Sequence, residues 1–566
     1  MIKIIYCNNF LCTINIIVSL GYNNFAMSNG IVISKKLTET NAGIIVKTLI
    51  KQGVDSIFGY PGAAVLSIYN ELSQAKEITH YLVRHEQAAV HAAEGYARVC
   101  GKTGVVLVTS GPGFTNTITG IANAYADSTP LVVLIGDISS ESISGKMFQN
   151  IDIESVVTPC SKKVYKLQKN DNAAQITEQA FIDAQTGKKG PVVIILPRNI
   201  LESECLSEKE NIAKPIIPAK SFEKESEKLT KLIEKSTKPL ILIGGGGLNS
   251  SVEINNFAKL LSCPIVSTLM GIGIYPSEDR NYLGMIGING TYQANAALNN
   301  ADLIIAIGSA FSDRSTCKNG NFAKKAKIVS INIDKISEDF ELNIISDASE
   351  FLNFYIKNYK NIKYLNKWDN QINIIKSEMY ENEDSSDRLH SSFVLKTISD
   401  YTKSYEPIIV TDVGQHQMLT AQFFNFNKPR KFITSGGMGT MGFGLPASIG
   451  AYTANPDNLI INITGDGSFQ MNLQELATCR EHNIPIKIVI MNNGYLAMVR
   501  QMQEKIYKNR YQVEMTNPDF VKIAEAYDLM AIRVKQKEEL KPAIEKAIQH
   551  SGTVILDVMI DFFENI

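Results

Sequence analysis

Short apolar runs bounded by glycine, proline or polar turns recur along the chain, separated by longer stretches with helical spacing. In the first third the runs fall at 56–58, 104–108, 131–135 and 191–196. Runs this short, rich in β-branched residues and without polar alternation, predict strands covered on both faces. A second set falls at 239–243, 264–266, 303–307 and 328–333, and a third at 408–410, 459–463, 486–491 and 553–558. Strand and helix alternating in this way predict an α/β fold of three consecutive domains, each with a central parallel sheet flanked by helices. Lysine- and glutamate-rich residues 202–220 and the polar stretch 356–388 read as linkers, which sets the domains at 31–201, 221–355 and 389–566.

At 566 residues the chain has room for about three or four domains of ~150 residues. A hydrophobic content of 45% and a net charge of −1 describe an ordinary soluble protein and give no sign of a nucleic-acid partner. Eight cysteines are scattered without a Cys-x-x-Cys pair, and seven histidines form no ligand-spaced cluster. That pattern fits reduced thiols in the cytoplasm rather than a disulfide frame or zinc site. Residues 1–30 differ from the rest: an apolar stretch at 10–20 is followed by an Asn-rich piece before Met27. A signal peptide, a transit peptide at 1–26 and a leader outside the mature fold are the readings, the last favoured by the polar interruptions. No run reaches the ~18 apolar residues that crossing a bilayer needs.

The chemistry concentrates where the third set of strands ends. The run 459–464 breaks at Gly465-Asp466-Gly467-Ser468, and the run 486–491 ends in Asn492-Asn493-Gly494-Tyr495. In a parallel sheet Asp466 and Asn493 then sit at the carboxyl ends of neighbouring strands, where open α/β folds bind ligands. Two hard oxygen ligands suit Mg²⁺, flanking glycines admit a phosphate, and a helix starting near Ser468 and running through 469–482 offers free N–H groups. Either motif alone reads as a surface turn; together they read as a metal-diphosphate cradle. Further glycine-rich turns follow other strands: Phe58-Gly-Tyr-Pro-Gly-Ala63 ahead of His85-Glu86-Gln87, Ser110-Gly-Pro-Gly-Phe-Thr-Asn116, Thr411-Asp-Val-Gly-Gln-His-Gln-Met418, and the twelve residues Ser435-Gly-Gly-Met-Gly-Thr-Met-Gly-Phe-Gly-Leu-Pro446. Glu86 by itself is more often a solvated first-turn acid.

Taken together these segments resemble the thiamine diphosphate enzymes, and from about Lys35 onward the chain is similar to the large subunits of acetolactate synthase. The resemblance implies that Glu86 bonds the cofactor's aminopyrimidine and switches it on, beside Pro61, Pro112 and Asn116. It implies that Gln415 and His416 lie near the diphosphate, that the Gly439 carbonyl accepts from the aminopyrimidine, and that Met441 wedges between the rings. Gly465, Asp466, Gly467, Ser468, Asn493, Tyr495, Leu496 and Met498 complete the cofactor set, with Asp466, Asn493 and Tyr495 holding Mg²⁺. Gln149 and Lys162 are implied on the substrate side; Lys162 and Arg500 each read equally as a site residue or a solvated cation.

The implied reaction decarboxylates pyruvate and condenses the two-carbon unit with pyruvate or 2-ketobutyrate, toward branched-chain amino acids. The implied assembly is a homodimer or a dimer of dimers with active sites at the interface, joined by a small regulatory subunit. FAD is implied in the middle domain through 268–271, 283–285, 308–314 and 331–334. The chain departs from the family pattern at Ala310 and Ser312 in the flavin segment, at Lys188 in place of an arginine, and at Met502 in place of a tryptophan. These departures leave open a carboligase or decarboxylase of the same superfamily with another acceptor. A non-catalytic nucleotide or flavin sensor is the other alternative, opposed by intact Glu86, Asp466 and Asn493.

Overall fold

The computed structural model describes residues 25–28, 31–34, 39–141, 147–205, 221–316, 322–360, 362–377 and 389–561. Most of the leader and of the first linker therefore lies outside the described residues, although Phe25–Ser28 and Ile31–Ser34 pair in antiparallel fashion. The stretch expected as a second linker is described up to residue 377 and is not free chain: Trp368 is fully buried and donates to the Pro239 carbonyl at 2.8 Å, ahead of helix Asp369–Ser377. Three six-stranded sheets follow in order. The first contains β1 (Ser56–Gly59), β2 (Thr79–Leu82), β3 (Gly104–Val108), β4 (Leu131–Asp137), β5 (Lys163–Lys166) and β6 (Pro191–Pro197). The middle sheet contains β7 (Pro239–Ile243), β8 (Ile265–Ser267), β9 (Tyr282–Met285), β10 (Leu303–Ile307), β11 (Lys327–Asn332) and β12 (Leu342–Ile345). The third contains β13 (Ile408–Thr411), β14 (Phe432–Ile433), β15 (Ile460–Gly465), β16 (Lys487–Asn492), β17 (Met530–Val534) and β18 (Val554–Met559). Every pairing within these three sheets is parallel.

The strand orders are β2-β1-β3-β4-β6-β5, then β9-β8-β7-β10-β11-β12, then β14-β13-β15-β16-β18-β17. The first and third domains thus share one topology that their sequences do not advertise. The four inner strands of each sheet are the apolar runs, buried along nearly their whole length. The outer strands are those the pattern misses. One side of an edge strand meets solvent, so its residues are mixed, as in Thr79-His-Tyr-Leu82 and Lys163-Val-Tyr-Lys166.

What joins the first domain to the third is a pair of helices, α1 (Glu86–Cys100) and, following α2 (Gln415–Phe423), α3 (Gly444–Ala454). Their contact faces are Ala- and Gly-rich, and the backbones touch. A Cβ placed on Gly450 would lie 1.7 Å from the Ala92 carbonyl, and one on Gly95 would lie 2.0 Å from the Ala447 carbonyl. Pairing 92 with 450 and 95 with 447 makes the helices antiparallel. Tyr81, ahead of α1, accordingly lies by Tyr452 and Thr453 near the end of α3. At the other end Arg430 donates to the Arg98 carbonyl at 2.7 Å, and Arg98 donates to the Thr434 carbonyl. One apolar core runs through this junction, from Val90 and Val106 to Ile449 and Ile488.

The middle domain is tied to the third by Ile272 and Met285, which enter an apolar core with Leu419, Phe424 and Phe426, and by hydrogen bonds such as Arg430 to Asn249 at 2.6 Å, the Phe426 N–H to Ser277 at 2.7 Å, and Gln422 to the Asn289 carbonyl at 2.8 Å. Among the described residues five cysteines are free, and no helix is long and apolar enough to cross a membrane.

Gly450→Ala is predicted to destabilise the protein by about 1–3 kcal/mol in denaturant unfolding, although the same change in an unpacked helix stabilises it, because the added methyl meets backbone that cannot step aside.

Candidate active site

Three neighbouring strands of the third sheet end at matching height. Thr411 of β13 pairs with Ile463 of β15, and Gly465 pairs with Met491 of β16. The turns that follow carry Asp412 to Gln415, Asp466 to Ser468, and Asn493 to Leu496, so the expected neighbours Asp466 and Asn493 come out side by side. Asp466 is buried at 2% exposure. Its Oδ1 accepts from the Gly467 N–H at 3.1 Å, and its Oδ2 from the Gly494 N–H at 2.7 Å and from Asn517 at 2.6 Å. Burial still pushes its carboxyl up from the ordinary value. The Asn493 side-chain oxygen accepts from the Tyr495 N–H at 3.0 Å, while Ser468 donates to the Val413 carbonyl at 2.7 Å.

The helix expected over 469–482 is broken. Asp466–Phe469 is a single turn, Leu473–Glu475 is a 3₁₀ turn, and α4 (Leu476–Glu481) follows. Asn472 makes the break by turning its amide onto the Gly442 carbonyl at 2.7 Å. The glycine loop is drawn to the same place by Asp412, whose oxygens accept from the Gly442 and Gly444 N–H groups, both at 2.9 Å. Gly439, at φ +67°, faces open space: the nearest atom to an added Cβ is on Val413, 3.8 Å away. Met441 is half-buried beside it. The His416 ring packs against Gly414 and Gly465; burial holds it down to about 3, and its Nε2 has no hydrogen-bond partner. Gln415, next to it at the start of α2, is buried. Leu496 lies 3.1 Å from a Cβ built on Gly467, and Met498 is half-buried on α5 (Ala497–Tyr507). Arg500 is buried with its guanidinium 5.3 Å from the Tyr495 ring, which removes the solvated reading.

A second cluster forms in the first domain. His85 caps α1 by accepting the Gln87 N–H at 3.2 Å, which leaves Glu86 as the first helical residue. Glu86 Oε2 accepts from Asn116 at 2.9 Å, and an added Cβ on Gly113 would lie 3.6 Å from Glu86 Oε1. Thr109 sits between the two glycine turns, within 2.7 Å of a Cβ built on Gly62 or on Gly113, so Pro61 and Pro112 flank one side chain. Gln149, at φ +59°, joins the cluster by accepting from Ser110 at 3.3 Å, while neighbouring Phe148 is 87% exposed. Lys162 is elsewhere. The two ammonium bonds it makes go to the Asp183 and Thr186 carbonyls at the end of helix Ala173–Gln185, so the structure gives it a helix-capping place rather than one beside Glu86.

Sequence reasoning misses the groups that hold these clusters. Asp127 accepts from the Gly436 and Gly437 N–H groups at 3.1 and 2.6 Å. Asn123 bonds both oxygens of buried Glu94 and accepts from Ser435 and Thr440. Glu475, pushed up to about 7 by burial, accepts from the Arg84 N–H. Each acts across domains, so no local pattern marks it; Asn517-Pro518 alone carries a turn signal.

The four middle-domain segments named from the sequence also converge. The Thr268 N–H bonds the Ile243 carbonyl, the Gly308 N–H bonds the Ile331 carbonyl, and Asn332 bonds the Ser309 carbonyl. The Ile286 N–H, after 283–285, bonds the Ser267 carbonyl. All lie at strand carboxyl ends around β7 and β10, where the strand order reverses. Ala310, Ser312 and Lys188 are exposed.

Family models match the chain in three pieces: "Thiamine pyrophosphate enzyme, N-terminal TPP binding domain" over 40–156, the central domain over 226–354, and the C-terminal TPP binding domain over 412–558. The acetolactate synthase large subunit of Buchnera aphidicola subsp. Schizaphis graminum is 40% identical over 550 residues, covering 93% of this chain and 96% of that protein. The Escherichia coli isozyme 3 large subunit is 37% identical with the same coverage, and the chloroplastic Arabidopsis thaliana enzyme 38%, with 93% and 82% covered.

His416 enters the fold neutral, with its folded value about 3 against 6.5 unfolded, so the unfolded chain binds the extra proton in that window. Stability is therefore predicted to rise with pH through it and to be lost on acidification. His416→Gln removes about 2–4 kcal/mol of that dependence, measured by denaturant unfolding across the same range.

Proposed function

The chain belongs to the acetolactate synthase large subunits of the thiamine pyrophosphate enzyme family, and we propose that its two clusters are half-sites that meet only where two copies of the chain associate. It condenses pyruvate by way of thiamine diphosphate to give acetolactate. The observation that carries the half-site reading is the antiparallel pairing of α1 with α3. Glu86 opens one helix and the Gly439 loop precedes the other, so within a chain they are separated by roughly 18 Å, the length of the 12 residues from Glu86 to Arg98. Both are assigned to one aminopyrimidine ring, which is far smaller. Two chains related by a twofold axis resolve this.

The residues fit the cofactor. The neutral, unpartnered Nε2 of His416, the left-handed Gly439 facing open space and the glycines flanking Asp466 suit a diphosphate and a ring. Among the described residues no three His, Cys, Asp or Glu side chains gather as a metal-holding group. Asp466 and Asn493, with Tyr495, instead offer the small oxygen set that Mg²⁺ uses when phosphate and water complete its shell. When bound, thiamine diphosphate supplies the electron sink for decarboxylation and the nucleophile for carbon–carbon bond formation.

The protein's part is positioning and proton control. Glu86, oriented by Asn116, would hold or release a proton at its carboxylate towards the aminopyrimidine; the Gly439 carbonyl would accept from the amino group, and Met441 would pack against the bound cofactor. Gln149, beside Ser110, orients the 2-keto acid, with exposed Phe148 closing over it. Met502, 54% exposed on α5, governs the choice between pyruvate and 2-ketobutyrate as acceptor. The central domain holds FAD, a reading supported by the convergence of its four segments, and a small companion subunit fits the "large subunit" names of the relatives.

Purified protein is predicted to release CO₂ and form acetolactate from pyruvate only with thiamine diphosphate and Mg²⁺. Glu86→Gln lowers turnover by about 100-fold or more while calorimetry still registers cofactor binding; full turnover in this variant removes Glu86 from its role. The absorption spectrum of the purified protein carries a flavin band in the blue; a colourless protein that FAD does not colour on titration contradicts the central-domain reading.

A further inference from the structure

We infer that Glu475, a residue of the third domain, is a positioning residue for Glu86 of the same chain. The inference rests on the assignment of Glu86 as the activating carboxylate. Glu475 is fully buried, and both of its oxygens accept from the Arg84 N–H, at 3.0 and 3.2 Å. Its Oε2 also accepts from Thr478 at 2.7 Å. The surrounding residues grip the same turn. Arg84 reaches Glu481 of α4 at 2.5 Å and its own Leu82 carbonyl at 2.9 Å, and the His482 ring packs on Tyr81 at 4.8 Å. Residues 81–85 are thereby pinned to the third domain immediately before the helix that begins with Glu86.

The same device occurs in reverse at the other end of the helix pair. There a buried carboxylate of the first domain, Asp127, accepts the Gly436 and Gly437 N–H groups of the loop that carries Gly439. Each domain thus fixes, by a carboxylate on backbone N–H groups, the turn through which the other contributes to catalysis. A buried carboxylate is a costly acceptor, and Glu475 places that acceptor on the backbone N–H groups of Arg84 and His85, directly ahead of Glu86. A displacement of Glu86 by a fraction of an ångström suffices to weaken proton exchange with the cofactor, because that step depends on hydrogen-bond reach.

The experiment uses the full chain with thiamine diphosphate and Mg²⁺, and reads cofactor affinity by calorimetry and hydrogen–deuterium exchange at the thiazolium C2 by quenched proton NMR. Glu475→Ala is expected to keep affinity within about 3-fold and to slow C2 exchange about 10-fold or more. Glu475→Gln, whose carbonyl still accepts from Arg84, is expected to restore exchange to within about 3-fold of wild type. Wild-type exchange in Glu475→Ala, equal loss of affinity and exchange, or no rescue by Glu475→Gln overturns the inference. If Glu475→Ala does not fold, Glu475→Asp, with the carboxylate drawn back by one methylene, must slow exchange at least about 3-fold. Wild-type exchange in Glu86→Gln, run alongside, overturns the assignment of Glu86 and this inference with it, whereas a slow Glu86→Gln beside a fast Glu475→Ala overturns this inference alone.

Discussion

The backbone contact between α1 and α3 is the constraint from which the rest of the architecture follows. Gly95 and Gly450 let each helix press on the carbonyls of the other, and the antiparallel crossing fixes where every catalytic group of a chain can be. Glu86 and the Gly439 loop sit at opposite ends of that pair, and the proposed division of one chain into two half-sites rests on that separation. The shared strand order of the first and third domains makes the arrangement close to symmetric within the chain, with equivalent helices back to back and equivalent strand ends pointing away.

Polar groups buried around this crossing then do the fine positioning. Glu94 lies between His91 and Asn123, and Asn123 hands two acceptor contacts on to Ser435 and Thr440. Asp412 holds the start of α3 through the Gly442 and Gly444 N–H groups, and also accepts from its neighbour Val413. Burial pushes Asp127, Asp412 and Asp466 up from the ordinary carboxylate range, even though each accepts several N–H bonds. Carboxylates kept in such places fix loops whose glycines would otherwise leave the backbone free.

The twelve inner strands were legible because a parallel strand covered on both faces is apolar at most positions, which leaves a nearly continuous run in the sequence, interrupted by buried polar residues such as Asn462 and Asp557. The edge strands escaped because solvent on one side admits Thr79, His80, Lys163 and Lys166. Asp466 and Asn493 were legible because each closes such a run, so their adjacency follows from the parallel sheet alone. Glu475 and Asp127 were not, since their partners are backbone groups some 390 and 310 residues away in sequence, beyond any local period. Lys162 shows the converse: a resemblance placed it at the substrate, and the fold places its ammonium on the carbonyl end of a helix, where a cation is stabilised by the helix dipole. The helix expected over 469–482 failed for a related reason, because Asn472 found a better partner across the domain than along the chain.

The most direct test of half-sites shared between chains is complementation. Glu86→Gln and Asp466→Ala proteins, each inactive alone, are dissociated, mixed in equal amounts and reassociated, and acetolactate formation is measured. A twofold interface gives each mixed dimer one site with both residues intact, so random pairing restores about one quarter of wild-type activity. If each chain held a complete site, every site in every mixture would carry a defect, and activity at the level of the separate variants would contradict the account.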